Sequence, residues 1–594
     1  MREQIAVYEL LRAMIRGKTG HLSKVTFTPQ KPAFSFSKED QQPFPRMSPE
    51  KQGISSRMLS DFFRDLAALQ HTDIHHVMVL RNGAVIGECA YAPYRKEIWH
   101  ISHSLCKSIT GMAIGFLIGE GRLTLEDKVV RILESKKSLL AGMRQKNLTV
   151  EHLLTMSSGV NFRETGIVTG DDWVKGFLDA SVSESPGTKF DYNSMNSYIL
   201  SAIVTEITGE PMDQYLTPRL FAPLGIEQFF WEACPKGITK GGWGLFLRPE
   251  DAAKLGQLYL DGGRWKGKQI IDEAWVRESV RKKMDTPSKM SDWGYGYQVW
   301  MGDREGSFLF NGMLGQNVII YPDLNMVIVT NAGSRELFVK SQLMSVVQSY
   351  FGGDFRPPSV LPENPVAYDE FQRTCAWLES VREVRHARGW GGWKRGKKGR
   401  KTQKKQPQPQ IQMRKLQGAF YRLERQQAGL FPLIMQVFHN NFTDGISSLG
   451  FQYEGGKSYL LIKAGALSKR LELGFNRAAI NEISVHGEPY LTAVKGEFCT
   501  DEEDRLVLKL DIAFLEEAAR RKLKIFFGEG EIRIQFDETP GKELIKTGLG
   551  EMLKEVTSNP LLNGIREMSP LDIPELMLEQ TVSPVIKGTL ESRK

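Results

Sequence analysis

Cysteine is scarce and dispersed: five in 594 residues, at Cys89, Cys106, Cys234, Cys375 and Cys499, with no C-x-x-C pair. An odd, scattered set excludes a disulfide framework and suits a reducing compartment, so a cytoplasmic protein is expected. Long apolar runs are missing too. Nowhere do about 18 apolar residues follow one another without charge, which argues against a membrane-spanning helix. The opening MREQIAVYELLRAMIRGKTG is broken by charges and has no apolar stretch of the kind a secretion signal needs. No G-x-S-x-G elbow occurs, which disfavours an α/β-hydrolase triad. GGRWKGKQ (262–269) comes close to a phosphate-binding loop, but Gln269 stands where Mg²⁺ binding needs Ser or Thr, so nucleotide binding is rejected. His100 and His103 could face each other on a turn, yet without a third ligand they are read as structural, and no metal or organic cofactor is expected.

What is present is an ordinary globular balance, 41% apolar and 25% charged. A chain this long exceeds one hydrophobic core, which stops growing near about 250–300 residues, so several domains are expected. The net charge of +8 is local: residues 382–415 hold 13 Lys or Arg against Glu383 alone. That segment, with GWGGWKRGKKGRKTQKKQPQPQ inside it, is poor in aliphatic residues and dense in like charge, so it reads as a solvated tether; nucleic-acid binding through it is the disfavoured alternative.

Periodicity divides the rest. IHHVMVLRNGAVIGECAYAPY (74–94) places two β-rich runs around Asn82-Gly83, a two-residue hairpin signal. After Ser104, the apolar residues Ile109, Met112, Ala113, Phe116 and Leu117 fall on one helical face. Helices are expected at 149–156 and 196–208, strands at 308–310 and 317–331, and a helix over 335–351. Strands, then helices, then strands imply an antiparallel sheet completed by both ends of the segment, with a helical region inserted. The Pro- and Gly-rich stretch 352–365 marks a boundary. Beyond a helix at 366–388, RLVLKLDIAF (505–514) and KLKIFFGEGEIRIQF (522–536) alternate as half-buried antiparallel strands do. Four parts result: an N-terminal extension (1–50), a domain over 51–352, a helix and basic linker (353–415), and a mainly-β domain (416–594). The fold class is α+β with a C-terminal mainly-β domain.

The chemistry centres on Ser104-Leu105-Cys106-Lys107. A serine hydroxyl needs a base within hydrogen-bond reach, and i, i+3 side chains share a helix face. Beside an apolar helix Lys107 loses hydration, which favours its neutral, proton-accepting form, and the helix N-terminus favours negative charge developing at Ser104. Ser35/Lys38, Ser48/Lys51 and Ser279/Lys282 share the spacing but lie in charged or proline-containing surroundings. Spacing alone is therefore weak; its setting singles out Ser104.

ISHSLCKSITGMAIGFLIGEGRLTLEDKV (101–129), LTVEHLLTMSSGV (148–160), SPGTKFDYNSMNSYILSAIVTEITG (185–209), FAPLGIE (221–227), GGWGLFLRPEDAAKLGQLYLDGG (241–263) and GYGYQVW (294–300) resemble, in order, segments of the serine β-lactamase and penicillin-binding-protein family, including class C β-lactamases, esterases and 6-aminohexanoate-oligomer hydrolases. The resemblance implies a β-lactamase/transpeptidase-like antiparallel sheet flanked by helices. It implies Ser104 as nucleophile, Lys107 as base, and Tyr192 of Tyr192-Asn193-Ser194 as proton relay, its phenol pKa expected to be lowered by the neighbouring ammonium. Ser194 replaces the family's Asn as a substrate-holding group. Phe310-Asn311-Gly312 stands where Lys-Thr-Gly would, implying Asn311 and Gly312 at the substrate and the backbone N–H groups of Ser104 and Met313 as an oxyanion hole. The family's cation at that motif is absent, which points to a neutral ester or amide.

The function expected is therefore a serine hydrolase working through an acyl-enzyme on a small ester or amide. A D-amino-acid peptidase or β-lactamase is the rival activity. A non-catalytic relative acting as a binding protein is the rival class, motivated by the altered second and third motifs.

Overall fold

The computed structural model describes residues 25–38, 40, 42–136, 145–164, 167, 170–385, 407–426, 428–541, 544 and 580–593. Most of the basic stretch lies outside these residues. The described residues divide into two compact units: those within 30–379, and those within 380–593 together with 25–29.

In the first unit Asn82 and Gly83 both take positive φ (51° and 71°), the conformation a tight hairpin turn requires. They join β1 (Thr72–Arg81) to β2 (Ala84–Ala90). After the helical insertion come β3 (Trp300–Met301), β4 (Phe308–Gly312), β5 (Gln316–Tyr321) and β6 (Met326–Ser334). Their order is β2-β1-β6-β5-β4-β3, and every named pairing is antiparallel. Early and late strands thus build one sheet, as the strand–helix–strand order implies. One face is covered by α1 (Ser56–Ala68), whose Phe62, Phe63 and Leu66 are fully buried with Val347 and Phe351 of α5 (Gln342–Phe351). Against the other face lies α4 (Pro249–Leu260); a β-carbon on its Gly256 would sit 2.5 Å from Val318 and 2.9 Å from Val327. The insertion contributes α2 (Cys106–Gly119) and α3 (Ser194–Thr208), both almost wholly buried.

This unit reaches past 51–352 at both ends. Phe34 packs on Trp99 at 5.5 Å, and Arg46 pairs with Glu250 at 2.8 Å, drawing in the segment from residue 30. Helix α6 (Pro365–Arg385) adds Phe371 and Leu378 to the core. The expected helix over 335–351 begins only at Gln342, because the Ser341 hydroxyl caps it by accepting from Met344 N–H at 3.1 Å. GGRWKGKQ forms a small hairpin pairing Arg264–Trp265 with Lys268–Gln269.

The second unit is mainly β. Strands β7 (Ala419–Leu423), β8 (Ser448–Glu454), β9 (Lys457–Ala464), β10 (Leu467–Leu473), β11 (Ala479–Val485), β12 (Glu488–Thr500), β13 (Leu506–Phe514), β14 (Arg520–Phe527), β15 (Glu531–Thr539) and β16 (Val585–Arg593) form one sheet among the described residues, in the order β10-β9-β8-β7-β16-β15-β14-β13-β12-β11. The sheet nearly closes on itself. Asn481 of β11 accepts from Glu472 N–H of β10 at 2.8 Å, and Gly474 N–H donates to Val494 O of β12 at 3.1 Å. The short helix α7 (Leu433–His439) is largely buried, and its Leu433 N–H donates to Glu538 at 3.1 Å. Glu538 also pairs with Arg521 at 2.8 Å, both side chains being at most 1% exposed.

Candidate active site

Immediately before α2, residues His103–Leu105 form a single 3-10 turn, and His103 takes a left-handed φ of 47°. This sharp entry leaves Ser104 part-exposed while its neighbours are buried. One turn on, Lys107 is 1% exposed. Its ammonium donates to Ser104 Oγ at 2.8 Å, to Ser194 Oγ at 3.0 Å and to the Gly242 carbonyl at 2.6 Å. Burial pushes this amine down to about 8, against smaller opposing effects of Cys106 and Glu164. Those three contacts fit either protonation state. The ammonium donates all three; the neutral amine donates two, to the carbonyl and Ser194, and turns its lone pair to the Ser104 O–H.

Tyr192 precedes α3, with its phenol on the Ser104 side of the site, where that hydroxyl influences its titration. The ring stands 5.5 Å from Trp300, 5.9 Å from Phe338 and 6.4 Å from Tyr295, with Lys107 Nζ 5.1 Å from its centroid. The expectation that the ammonium lowers this phenol is overturned. Burial among the aromatic rings pushes the phenol up, and this outweighs the opposing effect of the Ser104 hydroxyl. Tyr192 is therefore a neutral O–H donor.

The remaining expected residues divide. Gly312 ends β4 against the turn that carries Ser104: a β-carbon there would lie 2.2 Å from Ser102 O and 3.0 Å from Leu105 N. Met313, next in the chain, starts a 3-10 turn beside that contact. Ser194 sits at the start of α3 with its hydroxyl engaged by Lys107. Asn311 is placed differently from the expectation. It is 7% exposed, and its Nδ2 donates to Asn317 Oδ1 at 2.6 Å, while Asn317 Nδ2 donates to Thr330 Oγ1 at 3.0 Å. The register opposes Asn311 and Asn317 on neighbouring strands, so this Asn311 N–H is engaged inside the sheet. Phe310 is fully buried, its ring 5.2 Å from Tyr259 of α4.

Two groups escaped the sequence. The Gly242 carbonyl is a backbone acceptor and leaves no side-chain trace; the GGWG run is its only signal. Glu164 accepts from Ser194 N–H at 3.0 Å, and nothing in its local pattern marks it. His100 shares a hydrogen bond with His75 at 2.9 Å, and among the described residues no group of three or more His, Cys, Asp or Glu side chains is arranged to hold a metal ion.

Residues 61–337 match the Beta-lactamase family model. A 6-aminohexanoate-dimer hydrolase of Paenarthrobacter ureafaciens is 26% identical over 292 residues, covering 44% of this chain and 73% of its own. Penicillin-binding protein 4 of Amycolatopsis lactamdurans is 26% identical over 255 residues, covering 36% of this chain and 66% of its own. Among solved structures, D-amino acid amidase from Ochrobactrum anthropi superposes with a TM-score of 0.40 at 16% identity, covering 50% of this chain and 95% of that one.

Proposed function

We propose that this chain hydrolyses a small neutral ester or amide through an acyl-enzyme on Ser104, a reading supported by the match of residues 61–337 to the Beta-lactamase family model and by likeness to a 6-aminohexanoate-dimer hydrolase. The observation that carries the proposal is the Ser104–Lys107 contact at 2.8 Å with an amine held near 8. Near that pH an appreciable fraction of Lys107 is neutral and accepts the Ser104 proton as Oγ attacks the carbonyl carbon. Tyr192, a neutral donor, passes its proton to the leaving alkoxide or amine and regains one from the Lys107 ammonium. Water then enters, the neutral Lys107 amine takes its proton as the oxygen attacks the acyl carbon, and the acyl–oxygen bond to Ser104 breaks as Ser104 Oγ regains that proton and the acid is released. Backbone N–H groups of Ser104 and Met313 are assigned to the oxyanion.

The substrate class rests on the third motif. Phe310 is buried against Tyr259 and Asn311 is bonded to Asn317, so neither side chain of that motif supplies a cation for a substrate carboxylate. The five cysteines, none of them in a disulfide, support a reducing compartment. Incubation with a fluorophosphonate or a p-nitrophenyl ester, followed by mass spectrometry, tests the proposal. A single adduct on Ser104 is expected; labelling elsewhere, or none, rejects it. Likeness to a penicillin-binding protein favours a second reading, D-amino-acid peptidase or β-lactamase activity, which turnover of a D-Ala-D-Ala peptide or a chromogenic cephalosporin would reveal.

A further inference from the structure

Tyr192 and Ser194 flank Asn193 on a connection whose backbone must be held if phenol and hydroxyl are to meet Ser104 and Lys107. The residues that hold it come from one short run, Val160–Glu164. Asn193 Nδ2 donates to Phe162 O at 2.9 Å and to Val160 O at 3.4 Å. Arg163 donates to the Tyr192 carbonyl at 3.2 Å and to Asp191 Oδ2 at 2.6 Å. Glu164 accepts the Ser194 N–H at 3.0 Å. Consecutive residues of one segment thus grip every residue from Asp191 to Ser194.

We propose that Val160–Glu164 is a clasp that sets where Tyr192 and Ser194 stand, with Arg163 and Glu164 as positioning residues for the acylation step. The proposal rests on Ser104 being the nucleophile.

The division of labour follows from the contacts. Arg163 fixes the Tyr192 backbone from a side chain 35% exposed, paired with an Asp191 that is 36% exposed. Such a pair adds little stability at a surface, so its effect falls on geometry. Glu164 reaches Lys107 through Ser194, whose N–H it accepts and whose hydroxyl Lys107 engages. The titratable groups around Lys107 are the Cys106 thiol, pushed up to about 12 by burial, the Tyr192 phenol, also raised, and Glu164 on the clasp. The first two are neutral at ordinary pH, so Glu164 supplies the anion that favours the ammonium form of Lys107. Gln in its place still accepts the Ser194 N–H and removes the charge alone.

The test is the rate at which a fluorophosphonate labels Ser104 in the full chain, measured from pH 5.5 to 10. Glu164→Gln is expected to move the midpoint of the rise to lower pH by roughly half a unit, with a plateau lowered by about threefold. Arg163→Ala is expected to lower the plateau about tenfold with its midpoint unmoved, and Arg163→Lys to recover part of the loss. Glu164→Asp, which keeps the charge, should keep the midpoint. Wild-type midpoint and plateau in both Glu164→Gln and Arg163→Ala overturn the clasp while leaving the hydrolase reading intact. A wild-type chain that never labels at Ser104 overturns both.

Discussion

Gly312 approaches the Ser102 carbonyl so closely that a β-carbon would stand 2.2 Å from the oxygen. The contact brings the end of β4 against the turn that presents Ser104, so the backbone there has no room to yield. Gly312→Ala must part the two segments. Ser104 labelling is expected to fall by about a hundredfold, since displacement of this order misplaces the oxyanion donors, and stability by about 1–3 kcal/mol. Labelling kinetics and chemical denaturation measure the two effects separately.

The Lys107 amine sets the pH response. With the neutral amine proposed as the base and burial holding its pKa near 8, labelling of Ser104 should rise with pH through about 8 and level above it. Lys107→Met should abolish the labelling. Stability should also rise with pH, over a higher window. A folded-state pKa below the unfolded value of 10.5 means the unfolded chain binds more protons between about 8 and 10.5, so wild-type stability gains with pH across that window. Lys107→Met removes the gain, which urea unfolding at pH 8 and pH 10 detects.

Tyr192 acts as a neutral donor if its raised phenol is protonated throughout that range. Tyr192→Phe is expected to slow ester turnover by about a hundredfold while leaving the rise through about pH 8 in place. Comparing ultraviolet titrations of the two proteins, the phenolate signal missing from Tyr192→Phe should belong to a group ionising above ordinary tyrosines.

Asn311 donates to Asn317 within the sheet. Asn311→Ala leaves Asn317 short of a donor inside the sheet and should cost about 1–3 kcal/mol, with little change in the KM for a p-nitrophenyl ester. A large rise in KM with unchanged stability would return Asn311 to the substrate.

The Arg521–Glu538 pair of the second unit is buried to within 1% on both sides, and burial pushes the Glu538 carboxyl up. Arg521→Met leaves that carboxylate without its partner and should destabilise the unit by about 3–5 kcal/mol. Thermal unfolding should show the transition of this unit move while labelling of Ser104 persists.

What the sequence disclosed was local. Asn82-Gly83 reads as a turn, Ser104 and Lys107 as helix neighbours, and 505–536 as alternating strands, because each pattern is set within a few residues. What escaped depends on partners far along the chain. The direction of Asn311 follows from its register with Asn317. The sign of the shift at Tyr192 follows from Trp300 and Phe338, which only tertiary folding brings to it. The Gly242 carbonyl carries no residue-specific mark. The helix over 335–351 is shorter than its pattern suggests because the segment before Ser341 serves the site, with Phe338 packed on Tyr192.

The pairing of β1 with β6 joins Arg81 to Met326, about 245 residues apart. On the ribosome, at about 5–20 residues per second, the first hairpin waits roughly 12–50 s for the strand that covers its edge. During that interval β1 offers unpaired backbone groups to any extended chain nearby. Successful production of this protein therefore turns on what shields a half-made sheet during translation, and slower growth or added chaperone should raise the yield of soluble chain before any change to the sequence does.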